Sequence, residues 1–289
     1  MKLLKKFKNL LKPVKLIKPY ITVILSFLFI IFLLILVLLS LSGFSFGKFS
    51  FDFQDQDTIL QPPSFEHPLG TDQLGRDFLA RLIYGARLSL LVSVVTAVIA
   101  FLIGVSLGAV ASMTNKKIDF LVTRTIDIIY SLPDLLVLSI IGLMFSRSTT
   151  GILFAIGLIS WMDIARLTRA EILKLKEHEF ILSAKAVGLS DFRIFYKHLL
   201  PNILNPILVA ITFVMPRAII AESTLSFLGL GLSPPKCSWG TLASDSWQFL
   251  NTHTNLILYP SIMIMLTVLS LNIIGDFLTE LNQPRKIYI

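Results

Sequence analysis

The sequence predicts an all-α integral membrane protein with six transmembrane helices, and three observations predict it. Only 15% of the residues are charged while 54% are hydrophobic, whereas a soluble domain carries roughly 25% charged residues. The apolar residues are gathered into blocks. The first, residues 21–41, has no charged side chain and meets the about 20 residues a helix needs to cross the hydrocarbon core. Lysine and arginine are spread unevenly over the loops between the blocks, as in a chain with one orientation in a membrane.

The blocks place helices over residues 21–41, 88–113, 121–145, 151–162, 203–221 and 256–278. The first follows seven lysines, as a secretory signal would. Its apolar core is too long for one and no small-residue cleavage site follows, so it reads as an anchor. In the second, Gly104 and Gly108 form a GxxxG, which either lets a neighbouring backbone approach closely or is a chance spacing. The third contains Pro133, as a functional kink or a tolerated one. The fourth is short and is completed by a turn over residues 164–167. Pro201 allows the chain to start the fifth.

Basic residues set the orientation. On one side are Lys2, Lys5, Lys6, Lys8, Lys12, Lys15 and Lys18, then Lys116, Lys117 and Arg124. Arg166, Arg169, Lys174, Lys176, Lys185, Arg193 and Lys197 join them, with Arg285 and Lys286 in the tail. The other side has Lys48, Arg76, Arg81, Arg87, Arg147 and Lys236, so the split is nineteen to six. Both termini are therefore expected in the cytoplasm, with residues 42–87 and 222–255 outside. That places Cys237 outside, within reach of an impermeant thiol reagent unless it is buried. In so apolar a chain the net charge of +8 is read as a topology signal and not as nucleic-acid binding. One cysteine and four scattered histidines (His67, His178, His198, His253) give no metal-ligand spacing, so no metal site is expected.

One segment, residues 163–200, is charged and amphipathic. It divides at Gly188, which suits the left-handed turn that ends a helix. Before it, Phe180, Ala184 and Val187 fall on one helical face. After it, Ser190 can cap a new helix, and Phe192, Phe195, Tyr196 and Leu199 recur at helical spacing. The segment reads as a helix–glycine–helix hairpin whose apolar stripe needs a covering partner. Two other readings are a helix pair lying on lipid headgroups and a DNA-binding helix–turn–helix. The second puts aromatics where base-reading side chains are wanted, and spans tether it on both sides.

The stretch from Glu179 to Gly188, continued by His198-Leu-Leu-Pro201-Asn202, resembles the "EAA" loop of ATP-binding-cassette importer permeases. That pattern is Glu-Ala-Ala, three residues, Gly, nine residues, an aliphatic, one residue, then Leu-Pro. Gly188, Leu200 and Pro201 match. The triplet is degenerate (Leu182, Ser183, Ala184), Glu179 is three residues upstream, and His198 replaces the aliphatic. Residues 67–77 (His-Pro-Leu-Gly-Thr-Asp-Gln-Leu-Gly-Arg-Asp) with 81–89, and residues 222–235 with Ser238-Trp-Gly240, are similar to C-type permeases of dipeptide, oligopeptide and nickel importers.

The resemblance implies a type I importer permease fold, with residues 1–65 holding the first helix and its flanks and residues 66–289 the permease core. It implies a bacterial inner-membrane location and a B-type second permease, two ATPase subunits and an extracytoplasmic solute-binding protein as partners. It also implies a coupling loop formed by Glu179, Ala184, Gly188, Phe192, Phe195, Tyr196, Leu200 and Pro201, and no catalytic residues. The chain has no glycine-rich phosphate loop ending in Gly-Lys-Ser/Thr, so ATP and magnesium are expected at the ATPase partners and no cofactor on this chain.

Polar residues within spans usually face the protein interior, which makes Asp127, Ser131, Asp134, Arg217 and Glu222 candidates for the translocation path or for structural pairing. No His or Met cluster stands in the spans, which favours a peptide over nickel, although a chelated metal would need none. A secondary transporter would usually show internal repeats, and a membrane enzyme a converging set of acids, bases or nucleophiles. Neither is seen.

Overall fold

The computed structural model describes residues 19–41, 49–145 and 148–282. Among these the elements are helical. Helix α1 is Pro19–Leu41, α2 Phe78–Met113, α3 Lys116–Tyr130, α4 Asp134–Met144 and α5 Thr149–Lys176. Then come α6 (Glu179–Ala186), α7 (Asp191–Ile194), α8 (Leu200–Leu225), α9 (Trp239–Ser246) and α10 (Thr254–Asn282). Five helical segments are long and apolar enough to cross a membrane, and the bent pair α3–α4 brings the number to six. The N-terminal lysines, Lys48, Arg147, Arg285 and Lys286 lie outside the described residues.

Three of the expected spans change shape. Helix α2 begins ten residues early, because Asp77 accepts a hydrogen bond from the Ala80 N–H and so caps it. The third span is broken. Proline lacks an N–H and pushes the residue before it out of the helical region, and at Ser131-Leu132-Pro133 the axis turns by 93°. Pro206 and Pro216 leave α8 continuous. Helix α5 runs on to Lys176, beyond the turn over residues 164–167 expected to complete the fourth span and into the segment expected as loop. Ile164, Thr168 and Ile172 keep its helical apolar stripe buried.

Helix α2 against α5 is the most extensive pairing. Gly104 and Gly108 make it possible, since a Cβ on Gly104 would lie 2.6 Å from Cβ of Ile164 and one on Gly108 2.6 Å from the Ala165 carbonyl oxygen. Helix α10 packs on α8 and α1. Helix α1 itself leaves Ile24, Leu25, Leu28 and Phe32 uncovered, as a lipid-facing helix does.

The end of the bundle away from the hairpin is closed by a polar cap. Residues 67–81 fold back over the start of α2, with Gly70 and Gly75 at positive φ. A Cβ on Gly75 would run into the Asp55 carbonyl. The Arg76 Nε donates to Asp72 at 2.7 Å, and Arg81 lies 3.4 Å from Asp72 and 3.6 Å from Asp245. His67 Nδ1 faces Asp77 at 2.9 Å. Trp239 donates from its indole N–H to the Leu82 carbonyl, and the Cys237 thiol donates to the Arg81 carbonyl. Both segments behind the family resemblance therefore meet in one cap. Burial is the main reason the Asp245 carboxyl is held above the usual range, with Arg81 opposing it.

Cys237 is fully buried, and burial pushes its thiol up to about 11, so it is a poor reporter of topology. Exposed positions serve instead. Gln54→Cys is expected to be labelled by an impermeant maleimide on intact spheroplasts, and Lys117→Cys only after the membrane is opened. The reverse pattern would invert the orientation, and Cys237 itself should stay unlabelled until the protein is denatured.

Candidate functional site

The hairpin forms as its residues require. Helix α6 ends at Ala186 with Val187 as its C-cap, and Gly188 follows at φ +83°. The Gly188 N–H donates to the Lys185 carbonyl and the Leu189 N–H to the Ala184 carbonyl, which is the Schellman pattern. Ser190 then caps α7 by accepting from the Arg193 N–H. Helix α7 continues through a π-turn at Phe195–Leu199 directly into α8, where Pro201 occupies the first turn.

This geometry splits the expected stripe. A π-turn carries more than 3.6 residues, so it rotates the side chains after it. Leu199 is fully buried and Phe195 packs half-buried on the same core. Phe192 and Tyr196 face outward, 72% and 54% exposed, with ring centroids 4.5 Å apart. On α6 the anchor is Ile181, fully buried, while Ala184 packs half-buried and Phe180 and Val187 are exposed. Ile181, Ile194 and Leu199 join Ile164, Ile172, Ile203 and Ile207 in one core. The hairpin is thus fixed to the ends of α5 and α8 and carries an uncovered apolar surface on its other side. Glu179 and Pro201 are exposed and Leu200 is half-buried against the core. The same end is tied by Arg169, which holds Asp119 through two bonds, and by Lys176, whose ammonium donates to the Ser112 carbonyl.

The structure regroups the candidate path residues. The Arg217 Nη1 donates to Asp163 at 2.9 Å, and the Tyr130 hydroxyl donates to the other oxygen of Asp163. The Arg166 Nη2 donates to Asp127 at 2.7 Å, with its guanidinium 4.4 Å above the Tyr130 ring. Arg124 lies 3.6 Å from Asp127. Asp127 and Arg217 therefore belong to one ionic cluster on α3, α5 and α8. Asp163, Arg166 and Tyr130 complete it; none is among the expected path residues, since Asp163 and Arg166 lie at the charged edge of the 163–200 segment and Tyr130 carries no charge. The spacing of Asp163 and Arg166, one helical turn apart within a continuing apolar stripe, was the available signal.

Ser131 and Asp134 are exposed at the break between α3 and α4, and the Ser131 hydroxyl donates to the Ile128 carbonyl. Glu222 is elsewhere. It is fully buried under the cap, accepting from Ser226 at 2.7 Å and from Ser238 at 2.5 Å, and so pins α8 to the start of α9. Among the described residues no group of histidine, cysteine or acidic side chains could hold a metal ion.

Comparison with known proteins follows this architecture. Residues 100–288 match the family model described as "Binding-protein-dependent transport system inner membrane component". The dipeptide transport system permease protein DppC of Bacillus subtilis is 41% identical over 225 residues, 78% of this chain and 70% of that protein. The oligopeptide transport system permease protein OppC of the same organism is 35% identical over 225 residues, 78% of this chain and 74% of that protein. An inward-facing structure of the MetNI methionine ABC transporter superposes with a TM-score of 0.59 at 18% identity, covering 71% of this chain and 98% of that one, which supports the fold. The chain is a helical, multi-span transport component rather than an enzyme, and it belongs to the family of binding-protein-dependent transport system inner membrane components.

Proposed function

We propose that this chain is one of two permeases of an ATP-driven peptide importer in the bacterial inner membrane, with its termini and hairpin in the cytoplasm. The observation that carries this reading is the hairpin, which is anchored to α5 and α8 through Ile181, Ile194 and Leu199 yet exposes Phe180, Val187, Phe192 and Tyr196. A lever must be rigid toward the spans and adhesive toward its driver. An apolar face outside the membrane has the second property only when a partner covers it.

An ATPase subunit supplies that cover and hydrolyses the ATP with its magnesium. A second ATPase serves a B-type permease, and an extracytoplasmic binding protein delivers the substrate. The permease names of the relatives favour peptides over nickel. The test is ATP hydrolysis by the reconstituted complex. Peptide-loaded binding protein is expected to stimulate it severalfold and nickel chelates are not. Stimulation by nickel chelates alone would overturn the substrate reading. A transport-competent homodimer without a second permease would overturn the partner assignment.

A further inference from the structure

Asp163 stands near the middle of the 28-residue α5, and Arg217 lies well inside the 26-residue α8. At about 1.5 Å per residue, Asp163 is roughly 20 Å from either end of α5 and Arg217 about 12 Å from the nearer end of α8, so both fall within helices long and apolar enough to cross a membrane. Charged side chains at such depth face a protein interior or an aqueous cavity and not lipid. In this chain they are open, with the Arg217 side chain 73% exposed and that of Asp163 51% exposed. The surface they share therefore faces the water-filled path or the second permease.

The bonding of the pair is suited to exchange. Arg217 binds Asp163 through Nη1, one nitrogen of a guanidinium that carries five N–H donors and whose fork matches a carboxylate. The Tyr130 hydroxyl holds the other oxygen of Asp163, so the carboxylate stays placed when Arg217 turns away. A ligand carrying one carboxylate and one ammonium can then insert without leaving a charge unpaired. Its carboxylate replaces that of Asp163 on Arg217, and its ammonium takes the free side of Asp163. A neutral ligand offers no such exchange, because it brings no charge to replace either partner of the pair.

We propose that Arg217 and Asp163 form a subsite in the translocation path for the charged termini of a peptide. Arg217 receives the terminal carboxylate and Asp163 the terminal ammonium, with Tyr130 as a positioning residue. The proposal rests on the peptide reading above. The two permeases, two ATPases and binding protein are reconstituted in liposomes. Uptake is measured for a free dipeptide, its C-amide and its N-acetyl form, with the binding protein saturated by each.

The wild-type complex is expected to prefer the free dipeptide over either derivative by about tenfold or more. Arg217→Gln should abolish the preference against the amide and keep that against the acetyl form, and Asp163→Asn the reverse. If these variants fail to assemble, Arg217→Lys and Asp163→Glu take their place and should retain both preferences at a reduced rate. Unchanged preferences in Arg217→Gln and Asp163→Asn would overturn the proposal and leave a contact with the second permease. So would a wild type that transports all three forms equally, or charge-retaining variants that lose both preferences. A complex driven by nickel chelates and by no peptide would overturn the substrate reading and this proposal together, an outcome distinct from peptides transported without regard to their termini.

Discussion

Replacing Phe192 by aspartate is expected to leave the protein inserted and folded but to loosen its hold on the ATPase by about tenfold to a hundredfold. The side chain is 72% exposed in this chain, so its loss costs little within the fold. Under a partner, a fully buried side chain of this size contributes roughly 1.5–3 kcal/mol, and each 1.4 kcal/mol is about tenfold in affinity. Gly188→Val reaches the same outcome by another route. A Cβ there meets no atom within 4 Å, so the damage is conformational, since φ is +83°. The left-handed region costs an ordinary residue about 1–2 kcal/mol, and relief of that strain would swing α7 away from its direction. Asparagine tolerates the region, so Gly188→Asn should be much milder. Pull-down of the ATPase and uptake in vesicles are the measurements. Full ATPase retention with normal transport in both Phe192→Asp and Gly188→Val would mean that the hairpin lies on the lipid surface and drives nothing.

Gly108→Leu is expected to destabilise the bundle itself, more than either hairpin variant does. The new Cβ would fall 2.6 Å from a backbone oxygen, that of Ala165, and 2.7 Å from Cβ of Thr168. A backbone atom cannot rotate aside, so α2 and α5 must separate. Overpacking of this kind typically costs about 1–3 kcal/mol and occasionally more. Because α5 carries Asp163 and ends two residues before α6, the separation displaces the ionic cluster and the hairpin together. Thermal stability of the detergent-solubilised complex, read by size-exclusion chromatography, should fall by several degrees with loss of the monodisperse peak. Gly142→Leu is the control, since nothing lies within 4 Å of its Cβ. Equal midpoints for the two variants would show that the Gly104–Gly108 contact does not hold these helices.

The sequence was most informative where the chemistry is local. Gly188 and Ser190 could be read because a left-handed turn and a helix cap depend on a few neighbouring residues, and both form as expected. The start of α2 was hidden because Arg81 and Arg87 look like loop residues. Arg81 is admitted to a buried helix by Asp72 and Asp245, the second of them far along the chain. The extension of α5 was hidden for the same reason, since Asp163, Arg166 and Arg169 find partners on α3 and α8. The division of Phe192 and Tyr196 from Phe195 and Leu199 depends on a π-turn, which no 3.6-residue periodicity announces. Long-range charge pairing and departures from helical period are what the sequence conceals here.

The cap has a consequence for biosynthesis. Its bonds from Cys237 to Arg81 and from Trp239 to Leu82 join residues 156 and 157 positions apart. Helix α2 therefore enters the membrane long before the groups that cover its first turns have been made. Until the segment up to Asp245 emerges from the ribosome, Arg76 and Arg81 have only Asp72 to answer them, and the Leu82 carbonyl lacks its indole donor. Closing the cap is thus a late step of maturation, and a nascent chain halted before residue 237 would lack α10 and hold its earlier spans with that end still open to water.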